Sequence, residues 1–172
     1  IKERYDCFSW VEWAQQKLGI DVKIILSGMS MGAATVLMTA NMGLPKNVKG
    51  IMADCPYSSP KGILRAVMKQ IKFPVNVTYT AVRLGGKIFG RFDIEEHSVV
   101  ESMKNCYVPV LFIHGGEDYF VPCEMSEECF EACGSLDKKR IVVDGAAHGM
   151  SFCVNGELYK KELDEFLGRI LN

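Results

Sequence analysis

Three kinds of residue in this 172-residue chain could combine to do nucleophilic chemistry. They are a serine within Gly28-Met29-Ser30-Met31-Gly32, three histidines, and several acidic residues that follow apolar runs. G-x-S-x-G marks a turn from strand to helix so sharp that the serine sits in an unfavourable backbone region with its hydroxyl exposed. Glycines two positions to either side leave room for the strand and helix to approach. At a helix N-terminus, free N–H groups and the helix dipole favour a developing negative charge. A serine hydroxyl is a weak nucleophile at neutral pH and needs a base. Histidine serves best, held in the right tautomer by a carboxylate.

With three histidines the choice of base is short. His97 adjoins Glu95 and Glu96 and reads as a surface residue. His114 stands inside F-I-H-G at the end of an apolar run. It could approach the site, but reads first as a structural residue bonding the neighbouring loop. His148 follows V-V-D-G-A-A and precedes Gly149, and it is the expected base. From residues alone the acid stays open among Asp54, Glu117, Asp118 and Asp144.

The elements that must position these groups follow from apolar patterning. Val22–Leu26, Val48–Ala53, Val108–Ile113 and Lys139–Val143 are short and apolar, as buried strands are. Helical spacing covers 1–18, the stretch after the elbow up to Gly43-Leu44-Pro45, 60–71, a looser 74–89, 123–133 and 157–171. Strands alternating with helices, without a wet face, predict a parallel sheet covered on both sides, an α/β fold. In such sheets ligands bind beyond the carboxyl ends of the strands. Ser30, Asp118 and His148 each follow a strand, so all three are expected on one edge. The length suits one domain, 1–172. Within it, 57–103 reads either as helices packing between strands or as a small cap-like helical insertion.

A formal charge of −1 gives no reason to expect nucleic acid or an anionic membrane. No apolar run reaches the length of a membrane span, and no signal-peptide pattern opens the chain. The seven cysteines form no C-x-x-C pair. Cys123, Cys129 and Cys133 cluster without nearby histidine, so reduced thiols in a cytoplasmic protein are expected rather than a metal site. Nothing resembles a glycine-rich phosphate loop, and no cofactor is expected.

Four stretches together resemble the bacterial α/β-hydrolases, in the serine-hydrolase group near the esterase and prolyl-oligopeptidase-like branches. They are G-M-S-M-G-A-A-T after K-I-I-L-S, then D-C-P-Y-S-S, P-V-L-F-I-H-G-G-E-D-Y-F-V-P and D-G-A-A-H-G-M-S. The resemblance implies Ser30 as nucleophile, Asp118 as orienting acid, His148 as base and the Met31 N–H as one oxyanion donor, in that fold's chain order. It implies cleavage of an ester, thioester or amide in a small-molecule or peptide substrate through an acyl-serine. A cofactor-free haloperoxidase or acyltransferase would use the same triad. The family also has strands before the first helix and a loop giving a second oxyanion N–H, which 1–26 cannot supply. The chain is therefore expected to be the C-terminal part of a longer hydrolase, whose N-terminal signal or anchor could lie elsewhere. As a fragment it could be catalytically impaired, or serve as an interaction module. Its Val22–Leu26 strand would then form an open edge through which copies could associate.

Overall fold

Strand order follows chain order in the computed structural model, which describes residues 1–172. The strands are β1 (Ile24–Met29), β2 (Val48–Asp54), β3 (Val110–Gly115) and β4 (Lys138–Val143), paired β1-β2-β3-β4. Every pairing is parallel. The helices are α1 (Glu3–Leu18), α2 (Met31–Thr39), α3 (Pro60–Gln70), α4 (Val75–Gly85), α5 (Val99–Met103), α6 (Glu124–Ala132), α7 (Ser151–Val154) and α8 (Gly156–Leu171). This is the expected α/β architecture, a parallel sheet flanked by helices.

Burial on both faces explains the apolar runs. Val110 and Phe112 join the larger core with Ala34, Leu37 and Met38 of α2, Met103 of α5 and Cys129 of α6. Leu111 and Ile113 point the other way, into a smaller core with Val143, Tyr159 and Phe166. Alternate residues of one strand thus fill opposite cores, as in sheets covered on both sides.

Two strand boundaries differ from expectation in ways that matter for the site. β1 begins at Ile24 rather than Val22 and continues to Met29, so it delivers Ser30 directly. Its start is held by Asn47, whose carbonyl accepts from the Ile24 N–H at 2.8 Å and whose Nδ2 donates to Val22 O at 2.9 Å. β3 runs two residues later than 108–113, because Pro109 has no N–H for the ladder. His114 therefore lies within the strand instead of after it.

The 74–89 pattern breaks into α4 and a π-turn at Gly86–Gly90, where the glycines weaken the helical ladder. The short helices α5 and α7 had no periodic signal, since four or five residues are too few to show one. Helix α3 starts with a capping serine: Ser59 Oγ accepts from the Gly62 N–H at 3.0 Å. Ser59→Ala is expected to cost about 1 kcal/mol in urea unfolding.

Helix α1 forms over the expected stretch, but little of its apolar surface is buried. Only Val11 of its apolar residues is fully buried, whereas Trp10 is 66 % exposed and Tyr5, Trp13 and Leu18 are also exposed. β1 pairs with β2 on one side and has no strand on the other. An apolar groove of about 460 Å³ runs there, lined by Trp10, Val11, Ile24, Leu26, Met31 and Val36 among others. No helix is long and apolar enough to cross a membrane.

Candidate active site

Ser30 occupies φ 53°, ψ −116°, between β1 and the first residue of α2. A residue with a side chain reaches such a conformation only at a cost of about 1–3 kcal/mol, so the surroundings must enforce it. The Ser30 N–H donates to Asp54 O at 2.8 Å, tying the turn to the end of β2. At Gly28 an added Cβ would lie 2.3 Å from the carbonyl carbon and oxygen of Gly32, so strand and helix touch there through backbone. Gly32 differs from the sequence expectation, because a Cβ on it would meet nothing within 4 Å. Its α-carbon faces the groove beside β1, so close approach demands only one of the two glycines.

Asp118 and His148 sit on two loops stitched to one another. Gly116 N–H donates to Val143 O at 2.9 Å, and Glu117 N–H to Ala146 O at 3.0 Å. A Cβ on Gly115 would lie 2.3 Å from Ala146 O, so the end of β3 must be bare for the His148 loop to approach. Asp118 Oδ1 accepts from the N–H groups of Phe120 at 3.0 Å and Val121 at 2.8 Å. That turn fixes the carboxylate before any histidine arrives.

The remaining oxygen, Asp118 Oδ2, lies 2.7 Å from His148 Nδ1, and His148 Nε2 lies 2.9 Å from Ser30 Oγ. With the carboxylate accepting, Nδ1 carries the proton and Nε2 is free to accept from the serine hydroxyl. The Phe120 ring packs on the His148 imidazole, with centroids 5.1 Å apart. Met31 opens α2, so its N–H has no acceptor within the helix and stands beside Ser30.

The electrostatics follow from these contacts. Burial pushes the Asp118 carboxyl up, but hydrogen bonds from His114, His148 and Val121 outweigh it and hold the group below its ordinary value. Its ionised form therefore favours the folded state at neutral pH, and that contribution fades as pH falls through the lowered value. Asp54 goes the other way, raised chiefly by burial. Its Oδ2 accepts from Tyr159 OH at 3.1 Å rather than from a histidine. Glu117 and Asp144 are exposed and His97 packs against Arg4, so none of these rivals is brought to Ser30. Asp54→Asn keeps the Tyr159 acceptor and is expected to change the rate of fluorophosphonate labelling by less than about threefold.

Cys55 stands within D-C-P-Y-S-S. It follows β2 at φ 45°, buried, and its Sγ, an Asp118 carboxylate oxygen and a His148 ring nitrogen all lie within 4.8 Å of one another. Its thiol is pushed up to about 12, first by burial and then by the Asp54 charge. Such a thiol stays protonated, and Asp118 and His148 are already committed to each other. Only the folded sheet edge brings Cys55 here; nothing in its sequence context marks it.

A family model described as serine aminopeptidase, S33, matches residues 95–152, the stretch holding Asp118 and His148. An uncharacterized protein of Bacillus subtilis, YqkD, is 26 % identical over 143 residues, covering 83 % of this chain and 47 % of its own. Among solved structures, the Pyrococcus furiosus esterase Pf2001 aligns with a TM-score of 0.74 and 23 % identity, over 99 % of this chain and 62 % of that one. The esterase domain of a Rhodothermus marinus protein aligns at 0.69 and 18 % identity, over 100 % and 70 %. The chain shares the α/β-hydrolase fold with these structures. It spans about half the length of the curated relatives it matches.

Proposed function

We propose that this chain carries the acyl-transfer site of a serine hydrolase acting on a carboxylic ester, thioester or amide. The single observation that carries the reading is the continuous contact from Asp118 Oδ2 through His148 to Ser30 Oγ, at 2.7 and 2.9 Å. Names of similar proteins, esterases and a serine aminopeptidase family, support it as analogy.

In this reading the Ser30 hydroxyl gives its proton to His148 Nε2 as Oγ attacks the substrate carbonyl carbon. Asp118 stabilises the imidazolium through Nδ1–H. The Met31 N–H donates to the carbonyl oxygen as it becomes negative. His148 then returns the proton to the departing alkoxide, thiolate or amine as its bond to the carbonyl carbon breaks, leaving an acyl-serine. Water then attacks the acyl carbon and gives a proton to His148, which passes it to Ser30 Oγ as the acyl–Oγ bond breaks and the acid leaves.

An apolar acyl group suits the surroundings. Met29, Met31, Tyr119, Phe120, Met150 and Phe152 are all exposed on residues flanking the three site positions. Residues 57–103 would act as a small cap, an assignment supported by the bond from Gln70 Nε2 at the end of α3 to Tyr119 O beside Asp118. The test is labelling of the chain with a fluorophosphonate probe followed by peptide mapping. A single adduct on the Ser30 peptide is expected; a folded chain that takes no label overturns the reading.

The second reading is a chain that keeps the fold with impaired chemistry, since the Ser30 turn offers Met31 as one oxyanion donor. Loss of one such donor costs roughly 10²–10³ in rate. Turnover of short p-nitrophenyl esters by these 172 residues would exclude it. Self-association along β1 stays a proposal from the open edge, and a monomer in sedimentation would remove it.

A further inference from the structure

His114 is a fully buried imidazole in a strand whose other buried side chains are Val110, Leu111, Phe112 and Ile113. An apolar residue would fill that position with no polar atom to satisfy, so the imidazole needs a reason. Its Nε2 lies 3.0 Å from Val121 O and 3.3 Å from Asp118 Oδ2. Both are acceptors, so Nε2 must carry the proton and shares it in a three-centre contact. Nδ1 is buried with no partner. A bare lone pair there is less costly than an unsatisfied N–H, which points to the same tautomer.

We propose that His114 is a positioning residue for Asp118, a second imidazole that, with His148, holds the carboxylate at Oδ2. The inference rests on the reading of Ser30, His148 and Asp118 as a triad. With His114 in place Asp118 receives four contacts, two backbone N–H groups on Oδ1 and two imidazole nitrogens on Oδ2. The terminal torsion of an aspartate is otherwise broad, so closing this shell fixes the direction in which Oδ2 offers itself to His148. His114 also joins the triad loop to itself. The Val121 carbonyl it holds belongs to the residue whose N–H holds Oδ1. Both ends of the turn around Asp118 are thus pinned to β3.

The charge effect has a definite sign. A donor on Oδ2 withdraws negative charge from the oxygen that must stabilise the His148 imidazolium. Removing it concentrates that charge on His148 and makes its protonation easier. The other ionisable groups around this pair are Asp54 at the end of β2, Cys55 after it, Cys123 before α6 and Arg140 on β4. Asp54 is engaged by Tyr159, and Arg140 by Cys123 and Ser126, so neither replaces the missing donor.

The experiment compares His114→Leu, which removes the donor, with His114→Gln, whose amide nitrogen can stand where Nε2 stood. Labelling by a fluorophosphonate is followed against pH, and histidine N–H and C–H resonances are followed by NMR. For His114→Leu the labelling rate should fall on the order of ten- to hundredfold. The acid limb should move up by about half to one pH unit, the size of one hydrogen bond's net contribution. The low-field proton between His148 and Asp118 should broaden or vanish. His114→Gln should bring the limb and that resonance back toward the parent.

A folded Leu variant with the parent's acid limb and low-field proton would overturn the clamp and leave His114 as packing. If the Leu variant does not fold, ¹⁵N-histidine spectra of the parent decide. A proton on His114 Nε2 supports the clamp, and one on Nδ1 rules it out. Failure of the parent to label would instead overturn the hydrolase reading, while the NMR arm still judges His114.

Discussion

Ser30→Ala is expected to abolish fluorophosphonate labelling and to lower turnover of short p-nitrophenyl esters by roughly 10⁴–10⁶-fold. The size follows from the role proposed for the serine: without Oγ no acyl-serine could form, and only binding and the Met31 N–H would remain. In that proposal the three side chains act as a unit, so their losses would not add. Asp118→Asn leaves His148 without the carboxylate that sets its tautomer and is expected to cost roughly 10³–10⁴-fold, read in the same assay. Adding it to Ser30→Ala should do almost nothing further. Turnover by the Ser30→Ala chain within tenfold of the parent would remove Ser30 from the chemistry. A companion variant separates strain from function. At φ 53°, ψ −116° glycine is comfortable where serine is not. Ser30→Gly should therefore be more stable than the parent by about 1–2 kcal/mol in urea unfolding, while taking no label.

That trade shows which parts of the molecule could be read from its sequence. Strand and helix alternation was visible because both faces of the inner strands are buried, leaving runs such as V-L-F-I at 110–113. Proximity of Ser30, Asp118 and His148 was legible for a topological reason: parallel strands all end at one edge, and each residue follows a strand. The choice of Asp118 over Asp54 was not legible from either residue alone. Asp54 closes β2 and Asp118 follows β3, and the difference lies in what meets them, backbone N–H groups and imidazoles at Asp118, a tyrosine hydroxyl at Asp54. His114 shows the same limit. Its loop bond to Val121 could be guessed from a neighbour in sequence, but its contact with Asp118 depends on the turn closing back over β3. Helix α1 forms where its spacing placed it, but the spacing did not show that Trp10 would line an open groove beside β1 rather than enter the core.

The two glycines of the elbow, identical in the motif, are expected to behave oppositely when changed. A methyl at Gly28 would stand 2.3 Å from Gly32 C and O and 2.6 Å from Ala33 N, all backbone atoms that no rotamer change can move. Gly28→Ala must therefore push the first turn of α2 away from β1. That turn carries the Met31 N–H, and Ser30 Oγ is set by the same bend, so both leave the alignment with His148 Nε2. A displacement near 1 Å is worth on the order of 10² in rate, and the labelling rate should fall at least that far. Overpacking against backbone in a buried element should also lower stability by about 1–3 kcal/mol or more. At Gly32 the added methyl meets open space in the groove, and alanine is the better helix former by about 1 kcal/mol. Gly32→Ala should label at the parent's rate and unfold at equal or higher urea concentration. Equal tolerance at both positions would mean that the elbow is looser than its backbone contacts require. Equal intolerance would mean that the groove beside β1 is filled in solution, and sedimentation of the same sample would then show whether a second copy fills it.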